Sequence, residues 1–64
     1  MEDYQQRVID EKTELDGKLQ RLIKFLDTEK FAKLDEDERA RLTKQAKIMQ
    51  RYFDVLIERI AHFQ

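Results

Sequence analysis

Apolar residues recur at steps of three and four through the second half of the chain. Leu42, Gln45 or Ala46, Met49, Tyr52 or Phe53, Leu56, Ile60 and Phe63 mark one face of a long helix. Neither Pro nor Gly interrupts residues 35–63, so nothing there argues for a break. The first half repeats the design. Tyr4, Val8, Leu15, Leu19, Leu22 and Leu26 form a heptad-like stripe, widened near its end by Ile23 and Phe25. Leucines in such a repeat pack as knobs into holes on a partner helix. Between Val8 and Leu15 the seam falls on Glu11 or Lys12, a charge either at the edge of the contact or paired within it.

The pattern predicts a helix over 3–27, a connector over 28–35 that accommodates a short helical turn, and a second helix over 36–63. Asp3 is the expected cap of the first helix, with Glu2 and Asp3 suited to the positive end of its dipole. Asp35, with Glu38 three residues later, resembles a capping box at the start of the second. Within the first helix, Asp3 with Arg7 and Glu14 with Lys18 are spaced for i,i+4 ion pairs. Gly17 lies off the stripe and costs about 1 kcal/mol against Ala. It is either a tolerated surface glycine or a place where another chain's backbone comes close.

Two helices of similar length with a short connector must lie antiparallel. The expected fold is therefore all-α: an antiparallel two-helix hairpin, assembled into a helical-bundle oligomer. A single continuous helix is the competing arrangement, and the Asp35 cap argues against it. In the hairpin Leu22 falls near Leu42, Leu15 near Met49 and Val8 near Leu56, with Glu11 and Lys12 at the level of Tyr52. Ile48, Phe53, Val55 and Ile57 lie beside or outside the main stripe of the second helix. A hairpin covers only one face of each helix, so these four are the candidate interface residues. Phe31 and Leu34 are expected to fold back over the bent end. Phe31, Leu34, Tyr52 and Phe53 are either core residues or binding anchors.

Size sharpens this picture. A single domain of 64 residues buries roughly 60% of its unfolded surface and is marginal alone. With no Cys there is no disulfide, and one His without Cys makes a zinc site improbable. Self-association is the remaining remedy. The net charge of -1 argues against a dedicated nucleic-acid binder, whose affinity comes largely from neutralising phosphates. The acidic start at Met1-Glu2-Asp3 is unlike a signal peptide, no apolar run is long enough for a membrane span, and the lack of Cys is compatible with the cytosol.

Nothing in the sequence assembles a catalytic site. His62, the single histidine, is expected at a helix C-terminus in solvent. There is no Cys nucleophile, no Ser and no glycine-rich phosphate loop. The expectation is a non-enzymatic protein without cofactor or metal. The one uneven feature is charge: Arg39, Arg41, Lys44, Lys47 and Arg51 form a basic run with no acid among them. These five are candidate contacts to an anion, a nucleotide or a partner, sharpened if several chains bring copies together. The simpler alternative is a solvated face that pairs with acids of the first helix, such as Glu14.

The stretch Asp3-Tyr4-Gln5-Gln6-Arg7-Val8, with Glu11-Lys12, Glu14-Leu15, Lys24-Phe25-Leu26, Phe31, Leu34, Gln45, Met49, Tyr52, Leu56 and Arg59-Ile60, carries a resemblance. It is similar to a family of short, mostly uncharacterised phage and prophage helical proteins related to those of crAss-like phages. The resemblance implies a phage origin and the host cytoplasm; it carries over no functional residues. Three functions follow as expectations. The chain is a protein-interaction module, an inhibitor of a host or anti-phage defence protein; or an oligomer that sequesters a nucleotide or phosphorylated signal; or a structural or nucleic-acid-associated accessory protein.

Overall fold

A computed structural model describes residues 2–64. Three helices follow in order: α1 (Asp3–Leu26), α2 (Glu29–Ala32) and α3 (Glu36–Ala61). α1 and α3 lie antiparallel, with α2 as a single-turn connector between them, and the described residues contain no strand. The hairpin is a rod, 47 × 14 × 13 Å between Cα extremes. Its radius of gyration of 14.7 Å exceeds the roughly 10.7 Å of a compact chain of this length.

The two stripes meet as the spacing requires. Val8, Leu15 and Leu19 of α1 and Ala46 and Leu56 of α3 are buried, with Leu19 at 2% and Leu56 at 1% exposure. Met49, Phe53, Ile60 and Phe63 close around Val8, Leu15 and Leu56. Packing thus selects Ala46 over Gln45 and Phe53 over Tyr52. Ala46 is buried, while Gln45 and Tyr52 are exposed. Glu11 and Lys12 are half-buried at the seam edge.

The open end is tied by contacts the stripe does not announce. Gln5 is buried. Its Oε1 accepts from the Glu2 backbone N–H at 3.0 Å, and its Nε2 donates to the Gln64 carbonyl at 3.4 Å. A buried amide is tolerable only when hydrogen-bonded, and no buried side-chain polar atom of the described residues lacks a partner. Tyr4 meets Phe63 edge-on, with centroids 5.8 Å apart.

Several local expectations change. The cap of α1 is Glu2, and Asp3 is already its first helical residue. Asp35 does cap α3, but its side chain makes no capping hydrogen bond. Glu38 does not reach back to it, because its carboxylate is taken by Arg41 Nε at 2.8 Å. That is the one ion pair among the described residues; the spacings Asp3–Arg7 and Glu14–Lys18 are not closed. Such exposed pairs gain too little to hold two long side chains in one geometry. α3 ends at Ala61, with His62 as its exposed C-cap.

Two stability measurements check this packing. Leu56→Ala opens a cavity at the best-buried position, with an expected loss of about 2–5 kcal/mol in denaturant unfolding followed by helicity. Gly17 has ordinary helical backbone, and an added Cβ would meet only the tip of Arg21, Nη1 at 3.3 Å. That guanidinium can swing aside, so Gly17→Ala is expected to stabilise the helix by about 1 kcal/mol.

Candidate functional site

The bent end is built without Gly or Pro. α1 ends at Leu26 with Asp27 as its C-cap, and Thr28, the N-cap of α2, has extended backbone (φ -120°, ψ 159°). Its hydroxyl donates to the Phe25 carbonyl at 2.6 Å and accepts from the Phe31 N–H at 3.2 Å. One side chain thereby pairs a free N–H of α2 and adds a second bond to the Phe25 carbonyl, which already accepts from the Thr28 N–H at 3.1 Å. The turn holds Phe31 edge-on against Phe25, with centroids 6.0 Å apart and planes at 85°. The expectation that Phe31 folds back over this end holds, as does the short helical turn in the connector.

α3 then starts beneath Phe31. Arg39 is half-buried, and its Nη1 donates to the Ala32 carbonyl at 3.3 Å, pinning the last turn of α2 to the first turns of α3. Between them lies an open cleft of about 480 Å³, lined by Phe31, Glu36, Arg39, Ala40, Thr43, Lys44 and Lys47. The Thr43 hydroxyl donates to the Arg39 carbonyl at 2.9 Å, which leaves its oxygen lone pairs free to accept. Three cations against one carboxylate make the cleft electropositive, and Phe31 gives it an apolar wall. Such a surface can hold a phosphate by charge and a ring by stacking.

The five basic residues therefore divide. Arg39, Lys44 and Lys47 converge on the cleft. Arg41 does not, because its guanidinium is paired with Glu38 on another side of α3. Arg51 lies beyond the lining residues, one turn past Lys47. Glu36, Ala40 and Thr43 were not singled out from the sequence. The signal for them was present, since 36, 39, 40, 43, 44 and 47 follow the steps of three and four of one helix face.

The candidate interface residues also divide. Phe53 packs against the core. Ile48, Val55 and Ile57 are exposed, at 56%, 49% and 43%. At about 100° per residue, Val55 and Ile57 stand roughly 200° apart and cannot share a flank. Ile48, Tyr52 and Val55, spaced four and three apart, do share one.

Among the described residues no three His, Cys, Asp or Glu side chains gather as a metal would need, and no helix is long and apolar enough to cross a membrane. Fold and site together define a small all-helical hairpin with a cationic cleft at its bent end. Over residues 2–62 the chain matches the family Sequestin, and it belongs to that family. Neither a curated protein nor a solved structure matches it.

Removing the Thr28 hydroxyl tests how the cleft is held. Thr28→Ala is expected to cost about 1 kcal/mol of stability. It should also broaden the Phe31 ring resonances in NMR spectra, while the Tyr4 and Phe63 resonances at the far end stay unchanged.

Proposed function

We propose that the chain is a non-enzymatic binding protein that sequesters a nucleotide or other phosphorylated small molecule in the cleft between α2 and α3. The carrying observation is the convergence of Arg39, Lys44 and Lys47 beside Phe31 and Thr43. A phosphate needs cations and hydrogen-bond donors, a base needs an apolar face, and the cleft offers both within about two turns of helix. The family's name, which speaks of sequestration, supports the same reading. So does the resemblance to phage proteins: a phage gains by holding a host's defence signal out of reach in the cytoplasm, and holding needs no chemistry. The cleft is open and shallow, so tight retention favours a homo-oligomer in which neighbouring chains complete the site.

A second reading rests on a different surface. The exposed flank of Ile48, Tyr52 and Val55 on α3 suits docking onto a host or defence protein. The two readings separate in one titration series, with calorimetry of a panel of linear and cyclic nucleotides against the purified chain. Sequestration predicts binding that weakens with salt and falls roughly tenfold or more in Lys47→Glu, where a charge-assisted contact becomes a repulsion. Val55→Asp, away from the cleft, is expected to leave the intrinsic contact to the nucleotide in place. If no nucleotide binds at any salt concentration, the sequestering reading fails and host-protein docking takes its place.

A further inference from the structure

The cleft between α2 and α3 holds one carboxylate among its cations. Glu36 opens α3 and lines the cleft together with Phe31. Asp37 and Glu38 follow it in the first turn but do not line it. Arg41 with Glu38 is the one ion pair among the described residues. Glu36 therefore has no cation at ion-pairing distance, although Arg39, Lys44 and Lys47 line the same cleft. Arg39, three residues on, is its natural partner by spacing. Its Nη1 goes instead to the Ala32 carbonyl at 3.3 Å.

Helix geometry keeps the two polarities apart. Lys44 and Lys47 lie about 12 and about 16 Å beyond Glu36 along the axis of α3, at 1.5 Å per residue. Both separations exceed the roughly 8 Å over which salt screens exposed charges, so Glu36 barely weakens a phosphate held at the lysines. The span from acid to lysine is comparable to a nucleotide measured from the edge of its base to its phosphate. Ala40 lies between them on the same face, and its single methyl group leaves room for a flat ring beside Phe31. An ionised carboxylate only accepts hydrogen bonds. Next to an apolar wall it welcomes an amino group and repels a keto or phosphate oxygen.

We propose that Glu36 is the specificity-determining residue of the cleft. Its carboxylate accepts a hydrogen bond from the exocyclic amino group of a nucleobase lying against Phe31. The contact also fixes the direction of the ligand, with the base at the bend and the phosphate at Lys44 and Lys47. Amino-bearing bases are thereby preferred over bases that present a keto oxygen or a bare C–H at that edge. This inference rests on the sequestering reading of the cleft and adds to it the base class and the orientation.

Calorimetry with four probes tests it, with a chelator present so that no divalent cation bridges the carboxylate to the phosphate. The probes are adenosine monophosphate, purine riboside monophosphate, deoxyadenosine monophosphate and inorganic pyrophosphate. Purine riboside monophosphate differs from the first only in lacking the amino group. The wild type is expected to bind adenosine monophosphate roughly tenfold more tightly than this analogue, the worth of one hydrogen bond to a charged acceptor. Deoxyadenosine monophosphate should bind as tightly as adenosine monophosphate. Glu36→Ala should abolish the preference for the amino group and leave pyrophosphate binding unchanged. Asp37→Ala, which removes the same charge from the same turn outside the cleft, should keep the preference. Equal binding of the two purine ligands by the wild type overturns the proposal, as does a preference that survives Glu36→Ala. A loss of affinity confined to the deoxy ligand overturns it in favour of a ribose contact. Pyrophosphate binding without nucleotide binding overturns it while the sequestering of a phosphorylated ligand stands. No binding of any probe overturns both.

Discussion

Two helices can cover only one face of each other, and that constraint shapes the rest of this protein. The seam is narrow: three leucines, one valine and one alanine, with half-buried Met49, Phe53, Ile60 and Phe63 around them. Everything else on the helices faces outward. A compact three-layer domain hides its second and third faces, but a hairpin must solve them by polarity, by a ligand or by another chain. α3 has three kinds of face. Its inner face is core, its outer face near the bend is cationic, and one flank between them is apolar.

The bend gives the outer face its shape. A hairpin of two straight helices would present Arg39, Lys44 and Lys47 on an open cylinder. The single turn of α2 adds a wall, and the Thr28 hydroxyl and the Arg39 guanidinium fix that wall to both long helices. The same arginine that binds the connector lines the cleft, so local folding and the electropositive surface are coupled at one residue. The packing of Phe31 on Phe25 keeps its ring beside the cations instead of in the seam.

How far the sequence could be read depended on the kind of interaction. The hydrophobic period announced both helices and the seam from Val8 to Leu56, because burial is a property of spacing. It left Gln45 against Ala46 and Tyr52 against Phe53 open, since both members of each pair lie near the stripe; packing against α1 decided between them. It missed Gln5, whose burial depends on the far terminus returning to it. The predicted capping box at Asp35 gave way to the Arg41–Glu38 pair, a competition between side chains that spacing alone does not rank. The basic run was visible as composition, but its division between cleft, ion pair and flank was not.

By itself the sequence determined that this chain is all-helical, that it folds back once, and that a charged face stands opposite its core. Those properties follow from periodicity, helix-end chemistry and residue type, which are local. Tertiary structure decided which apolar residues close the seam, which three of five cations meet, and which flank stays bare. These depend on where a connector turn and a distant helix stand in space, and residues far apart in sequence set that position together.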